Sequence, residues 1–162
     1  MNSVLSSEIE IIPIKPEHQQ LIDEIVNDLA ELKKQNNGQS FIEFGDKNTK
    51  LFSHQGVIKG FCNIPSIQGH PYIDVYVLRQ YRGQGLGPAV TIKLREMLFD
   101  MGHSVVGILV HKDNLRAIES AKKSGFVMSD ENEELNKENK ADTYYKFVAR
   151  NYRNANDRGY SH

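Results

Sequence analysis

The chain has 162 residues, a formal net charge of −1, 39% hydrophobic residues and 25% charged residues, a composition typical of a globular protein with one real core. The balanced charge gives no general reason to expect nucleic acid or an anionic membrane as a partner. Cys62 is the only cysteine, which excludes an intramolecular disulfide and favours a reducing compartment. No apolar run approaches the roughly 20 residues that span a bilayer, and no signal peptide is apparent. We therefore expect a cytoplasmic protein.

The first third of the chain predicts a strand, a helix and a hairpin. The stretch Glu8–Pro16 is typical of a strand stopped by prolines. The segment NNGQ at Asn36–Gln39 should end the helix that follows, and the next apolar run should turn near Gln55–Gly56 as a hairpin. The helix between the first strand and NNGQ is predicted from apolar residues that share one helical face: Leu21, Ile22, Ile25, Val26, Leu29 and Leu32.

The rest of the chain alternates predicted strands and helices. Strands are expected at Tyr72–Leu78, His103–Val110 and Thr143–Arg150, and a capped helix at Asp113–Phe126. Ser129–Asp142 is polar and predicts an exposed loop. A further helix should follow the first of these strands with this apolar face: Leu86, Val90, Leu94, Met97, Leu98 and Met101.

This order predicts an α/β (α+β) fold with a mixed sheet. Two strand–helix–strand units in the second half imply a locally parallel arrangement, and the hairpins add antiparallel pairs. Without a repeat or an obvious linker, residues 1–150 are predicted to form one domain. The polar tail at 151–162 lacks periodicity, so we expect it to be disordered.

A glycine-rich stretch, Arg82-Gly83-Gln84-Gly85-Leu86-Gly87, lies between a predicted strand and a predicted helix. Glycines let the backbone approach a ligand closely, and a helix N-terminus offers unpaired N–H groups with a partial positive charge. The spacing matches neither the dinucleotide-binding fingerprint nor the P-loop. Pro88 suits only the first turn of a helix, so the helix should begin at about Gly85–Gly87. The residues alone leave two interpretations, a pyrophosphate site or a plain tight turn.

Two sequence blocks in this half carry a family resemblance. The block VLRQYRGQGLG resembles motif A of the GNAT superfamily of acyl-CoA-dependent N-acyltransferases, whose pattern Q/R-x-x-G-x-G/A falls on Arg82, Gly85 and Gly87. The resemblance covers Tyr72–Phe126 well and the outer elements only by their order. The block NLRAIESAKKSGF resembles motif B at these positions: Asn114, Ala117, Gly125 and Phe126.

The resemblance implies a fold and a coenzyme site. The fold would be a single GNAT-like domain with a mostly antiparallel central sheet, a parallel strand pair at its middle, and flanking helices. The backbone of Val75, Tyr76 and Val77 would pair with the pantetheine arm of acetyl-CoA like an added strand. Asn114 would contact the coenzyme near its sulfur, although a plain helix cap is the alternative. The pyrophosphate would lie on the turn formed by Arg82, Gly83, Gln84, Gly85, Leu86, Gly87 and Pro88, of which Pro88 cannot donate.

The resemblance also implies N-acetyl transfer by direct attack of an amine on the thioester. Asp74, on the strand before the coenzyme-pairing segment, is the best candidate for the base, and a solvated strand aspartate is the alternative. A backbone N–H near Val77 would suit the oxyanion. The glutamate that some members carry five residues before the asparagine is Leu109 in this chain, and the usual tyrosine acid is Ala121. These two departures weaken an interpretation as a ribosomal-protein N-terminal acetyltransferase.

Further expectations concern the group that protonates the thiolate, since the usual tyrosine is absent, and the binding partners of the protein. We expect solvent to protonate the thiolate, with Tyr144 or Tyr145 on the last strand as the second choice. The acceptor should be a small-molecule or peptide amine, with no metal, no membrane and no nucleic acid, and a homodimer is left open. Cys62 should be a core residue. The alternative function is a non-catalytic acyl-CoA-binding module with the same fold, which only turnover would distinguish from the enzyme.

Overall fold

The structure, a computed structural model, describes residues 4–35, 49–129 and 144–152. Its helices and strands in chain order are β1 Ile9–Ile12, α1 Gln19–Gln35, β2 Lys50–His54, β3 Val57–Asn63, β4 Ser66–Ile67, β5 His70–Pro71, β6 Asp74–Val77, α2 Leu86–Asp100, β7 Val105–His111, α3 Leu115–Lys123, β8 Val127–Met128 and β9 Tyr144–Arg150. Short 3-10 turns precede β1, α1 and the glycine-rich stretch. The predicted helices and long strands are therefore confirmed, with ends that differ by a few residues.

Contacts divide the chain into two compact units. The first unit comprises Met1–Ile64 and Asp74–Val90, and the second comprises Pro65–Ile73 and Thr91–His162. The helix-ending segment NNGQ lies outside the described residues, as do most of the predicted loop after β8 and most of the polar tail.

The first unit contains an antiparallel sheet in the order β1-β2-β3-β6. Its hairpin turns at Gln55 and Gly56, both with positive φ, which confirms the predicted turn. Helix α1 packs on this sheet through Ile25, which is fully buried against Phe61 and Leu78. Burial of these large side chains, each worth about 1.5–3 kcal/mol, holds β6 in place beside β3.

The second unit contains an antiparallel sheet in the order β7-β9-β8 and the two-stranded hairpin of β4 and β5. Tyr72 forms an isolated parallel bridge to Gly107 of β7. Its ring covers that glycine so closely that an added Cβ would lie 2.5 Å from the ring. Since parallel pairing among the described residues stops at this single bridge, the expected parallel strand pair is not confirmed.

Helix α2 corrects one detail of the sequence prediction. Leu86, Val90 and Leu94 are buried as expected, whereas Met97 and Met101 are 38% and 71% exposed. Both methionines lie toward the C-terminal end of the helix, where the buried face is formed by Leu98 and Phe99 instead. In the described parts of the chain, no helix is long and apolar enough to cross a membrane.

Candidate active site

Strand β6 is the terminal strand of the four-stranded sheet in the first unit, so one of its edges has no strand of that sheet beside it. On the other edge it pairs antiparallel with β3, Val77 opposite Gly60 and Val75 opposite Cys62. Gly60 is required at this crossing because an added Cβ would lie 2.0 Å from the Tyr76 carbonyl oxygen. The close approach of β3 fixes the position of β6 and leaves its outer edge for a partner.

The backbone groups that face this outer edge belong to Val75 and Val77. The N–H of Leu78 donates to the Lys59 carbonyl of β3 at 2.9 Å. Because consecutive residues of a strand point their N–H and C=O groups to opposite edges, the groups of Val77 and Val75 point away from β3. The Val77 carbonyl accordingly accepts a hydrogen bond from outside the sheet, from Arg82 Nε at 2.9 Å.

The glycine-rich turn follows β6 and leads into α2. Gly83 and Gly85 have φ angles of +80° and +84°, in the left-handed region that side chains rarely adopt. Gly87 lies inside the first turn of the helix, and an added Cβ there would meet nothing within 4 Å. The helix begins at Leu86, as predicted, and Pro88 occupies its first turn. Backbone conformation therefore requires glycine at two of the three positions.

Several N–H groups of this turn remain available to a ligand. The first helical backbone bond there runs from Ala89 N–H to the Gly85 carbonyl at 3.4 Å. The N–H groups of Gly83, Gln84, Gly85 and Leu86 have no acceptor among the described residues. Unpaired N–H groups at a helix N-terminus form an anion site, so the turn offers donors that an anion such as a pyrophosphate could use.

Arg82, the basic residue of this turn, is directed inward. Its N–H donates to the Arg79 carbonyl at 3.3 Å, and its guanidinium lies 5.2 Å from the centre of the Tyr76 ring. Arg82 Nη2 is 3.4 Å from Asp28 Oδ2 on α1. The structure therefore places the Arg82 side chain between the turn, the end of β6 and α1, and its predicted contact with the coenzyme stays a prediction.

Asp74 opens β6 opposite Asn63 of β3. Burial raises the pKa of its carboxyl from 3.8 to about 6, because a desolvated carboxylate is disfavoured relative to its neutral form. In the described part of the chain this carboxyl has no hydrogen-bond or ion-pair partner. A partly buried carboxyl without a partner, titrating close to neutral pH, suits a proton acceptor better than a structural role.

Asn114 lies in the second unit, as the N-cap of α3. Its Oδ1 accepts from the Ala117 N–H at 3.1 Å, so the helix cap is confirmed and the side chain is exposed. The structure thus brings Asp74, Val75–Val77 and the glycine-rich turn together within the first unit, and places Asn114 in the other. Its predicted contact with the coenzyme is a separate expectation.

The two tyrosines of β9 also lie in the second unit. Tyr144 pairs with His111 and Tyr145 with Val110, and the Tyr144 ring meets the His111 ring edge-on at 5.6 Å. Burial raises the pKa of Tyr144 above its usual value. Cys62 is fully buried, as expected of a core residue, and burial raises the pKa of its thiol to about 12. Among the described residues no group of histidine, cysteine or carboxylate side chains could hold a metal ion.

Solved structures with the same fold carry acetyl-transfer names. No curated protein matches this sequence. RimL, a ribosomal L7/L12 alpha-N-protein acetyltransferase solved with coenzyme A, aligns at a TM-score of 0.67 and 14% identity over 91% of this chain and 96% of its own. The N-acetyltransferase PseH of Campylobacter jejuni, solved with acetyl coenzyme A, aligns at a TM-score of 0.57 and 16% identity, over 88% of this chain and 98% of its own. Spermidine N-acetyltransferase of Vibrio cholerae, solved with CoA and spermine, aligns at a TM-score of 0.58 and 10% identity, over 89% of this chain and 96% of its own.

Those identities are low enough that the three structures establish the fold alone. The sequence itself supplies the stronger match, because the family model described as the acetyltransferase (GNAT) family covers residues 11–126. That range contains the open edge of β6, the glycine-rich turn and the capped helix α3. The chain therefore belongs to the GNAT family of acetyltransferases.

Proposed function

We propose that the protein transfers the acetyl group of acetyl-CoA to a primary amine of a small molecule or peptide, by direct attack in a ternary complex. Membership of the acetyltransferase family supports the reaction class. The names of the similar structures support an amine acceptor and acetyl-CoA as the donor, since they include coenzyme complexes and a spermine complex. The acceptor of this chain is proposed only as a class.

The residues of the first unit divide the work of binding the donor. The outward backbone groups of the segment Val75–Val77, apart from the Val77 N–H, pair with the amides of the pantetheine arm, as an added strand would. The N–H groups of the glycine-rich turn, Gly83 to Leu86, hold the pyrophosphate at the positive end of α2.

The chemical step needs a base and a site for the oxyanion. The unprotonated amine nitrogen attacks the thioester carbonyl carbon, and Asp74 accepts the proton that the nitrogen loses, directly or through water. The Val77 N–H faces the outer edge of β6 and donates to the oxyanion of the tetrahedral intermediate. The C–S bond then breaks, the amide remains on the acceptor, and the thiolate takes a proton from solvent.

The observation that carries this proposal is the buried position of Asp74 on the strand that leads into the turn, where desolvation raises the pKa of its carboxyl to about 6. A base with a pKa near the working pH is ionised yet still accepts a proton readily. A solvated strand aspartate would have no cause for such a shift. Burial without a charged partner distinguishes Asp74 from the exposed carboxylates of α1.

The test is release of the CoA thiol from acetyl-CoA, measured over amines, amino acids, polyamines, aminoglycosides and peptides. We expect acceptor-dependent release, and acetyl-CoA should raise the melting temperature because it binds only the folded chain. A melting-temperature rise without release for any acceptor would favour the non-catalytic acyl-CoA-binding module. The absence of both effects at millimolar acetyl-CoA would contradict coenzyme binding itself.

The missing acid gives a prediction on β9. Tyr144→Phe and Tyr145→Phe, made separately, should each leave turnover within about tenfold of the parent, below the 10²–10⁴-fold expected for loss of a general acid or base. A tyrosine is a weaker acid than a thiol, since their ordinary pKa values are about 10 and about 8.5, and burial raises the pKa of Tyr144 further. Steady-state kinetics with a saturating acceptor measures the effect. A hundredfold loss in either variant, with the fold and acetyl-CoA binding intact, would assign the acid to that tyrosine.

A further inference from the structure

The carboxylate of Asp28 on α1 contacts three side chains from the segment that runs from β6 into the glycine-rich turn. Its side chain is 15% exposed. Oδ1 lies 3.4 Å from Arg79 Nη2, Oδ2 lies 3.4 Å from Arg82 Nη2, and Oδ2 also accepts a hydrogen bond from the Tyr76 hydroxyl. One carboxylate thus contacts the strand β6, the 3-10 turn after it and the start of the glycine-rich turn.

The Arg82 guanidinium connects the Asp28 carboxylate to the strand that precedes the turn. Arg82 donates through Nε to the Val77 carbonyl at 2.9 Å, while Nη2 faces Asp28. The guanidinium therefore bridges α1 and the last residue of β6, and its own backbone leads directly into Gly83. A guanidinium group holds a fixed position when two sides of its planar fork are engaged, so the Arg82 side chain is held between α1 and the end of β6.

Gly83 and Gln84, the two residues that directly follow Arg82, are exposed and have no comparable support among the described residues, whereas Leu86 is buried again. Gly83 and Gly85 adopt positive φ, and an added Cβ at Gly83 would meet nothing within 4 Å. Glycines without packing contacts lose more conformational freedom on ordering than any other residue. A turn of this kind binds an anion well only if an anchor before it fixes where its N–H groups point.

We propose that Asp28 is a positioning residue: through Arg82 it fixes the glycine-rich turn in the conformation that binds the pyrophosphate of acetyl-CoA. This inference rests on the proposed function, because it assumes that the turn binds the coenzyme. Asp28 touches no reacting atom and acts entirely through the Arg82 side chain.

The experiment compares Asp28→Asn with the parent, using two acetyl donors. Asparagine keeps the size of the side chain and an oxygen for the Tyr76 hydroxyl, but it removes the charge that holds the two arginines. We expect the Kd and KM for acetyl-CoA to rise about tenfold, in the range of one charge-assisted hydrogen bond, with kcat little changed. S-acetyl-pantetheine lacks the pyrophosphate, so its kcat/KM should stay within about twofold.

Two further variants serve as controls. Glu24→Gln removes a carboxylate one turn earlier on α1, where it accepts from Gln80 at 3.1 Å, and it should change neither donor. Arg82→Gln should reproduce the acetyl-CoA effect, and adding Asp28→Asn to it should cause no further loss, because both changes break the same link. Arg82→Gln also tests the inference if Asp28→Asn fails to fold.

Each result supports or overturns the inference. An unchanged Kd for acetyl-CoA in Asp28→Asn, or an equal loss with S-acetyl-pantetheine, would overturn it, the latter because damage would then be general rather than confined to the pyrophosphate. Losses that add in the double variant would also overturn it. If the parent itself fails to bind acetyl-CoA, the proposed function fails together with the inference, whereas binding in the parent without an Asp28 effect removes the inference alone.

Discussion

Asp74→Asn is expected to lower turnover by 10²–10⁴-fold, the usual contribution of a general base, while leaving the Kd for acetyl-CoA nearly unchanged. The amide cannot accept the proton of the attacking amine. In the parent, kcat/KM should fall as pH drops below about 6, where Asp74 becomes protonated. Because the asparagine variant lacks this carboxyl, the part of the fall that is due to Asp74 should be absent from its residual activity. Parent-like turnover across the pH range would return Asp74 to a structural role.

The same substitution should stabilise the folded chain at neutral pH. The pKa of Asp74 rises from 3.8 to about 6 on folding, so the folded state binds more protons than the unfolded state between those values. Its stability contribution is therefore full below pH 3.8, and it is lost as pH rises through 6. A shift of roughly two units corresponds to about 3 kcal/mol. Asparagine carries no charge to desolvate, so above pH 6 the variant should be more stable than the parent by about 1–3 kcal/mol.

Urea unfolding of both proteins at several pH values between 4 and 8 measures this effect. The stability difference should grow with pH and level off above about 6, and taking the difference cancels the titration of the other carboxyls. Asp23→Asn, which removes an exposed carboxylate that accepts from Gln19 on α1, should show no such growth. A stability difference that does not depend on pH would contradict a raised pKa for Asp74.

Gly85→Val is expected to abolish coenzyme binding without unfolding the protein. Gly85 has a φ of +84°, and a β-branched residue in that region costs about 1–3 kcal/mol or forces the turn to rearrange. Rearrangement would misdirect the N–H groups of Gly83 to Leu86. Losing two hydrogen bonds to a charged group corresponds to at least about a hundredfold in Kd. The rise in melting temperature caused by acetyl-CoA should therefore vanish at concentrations that saturate the parent.

Gly56→Val is the matched control for this prediction. Gly56 has a similar φ of +77° in the hairpin between β2 and β3, and an added Cβ would meet nothing within 4 Å. Its replacement should cost comparable stability but leave the acetyl-CoA shift intact. If Gly85→Val still binds acetyl-CoA with parent affinity, or if both variants lose binding equally, then the conformation of the turn is not what binds the pyrophosphate.

Local sequence determined the parts of this protein that depend on neighbouring residues alone. The glycines of the turn and of the hairpin, the proline in the first turn of α2 and the Asn114 cap each specify a backbone conformation through their own chemistry. Apolar spacing likewise identified α1 and α2. The two short hairpin strands β4 and β5 and the strand β8 were missed, because two-residue strands are too short to show alternation.

The candidate site was only partly predictable. Asp74 could be selected from its place on the strand before the turn, but its raised pKa depends on burial by residues distant in sequence. Asp28 gave no signal at all, since an aspartate on a polar helix face is ordinary in any sequence. Its partners Tyr76 and Arg82 lie 48 and 54 residues away, and no periodicity spans that distance.

Sequence by itself thus determined the order of the helices and the longer strands, the glycine-rich turn and the family, since these follow from local conformational preferences and from motif spacing. Tertiary structure alone decided which edge of β6 stays open, where the Arg82 side chain points and how far Asp74 is removed from water. Each of these depends on packing between segments far apart in the chain. Burial raises the energy of the Asp74 carboxylate, and pairing with β3 uses one edge of β6. How far the two strands pair in parallel is also decided by tertiary packing. Among the described residues, that pairing consists of the single bridge between Tyr72 and Gly107.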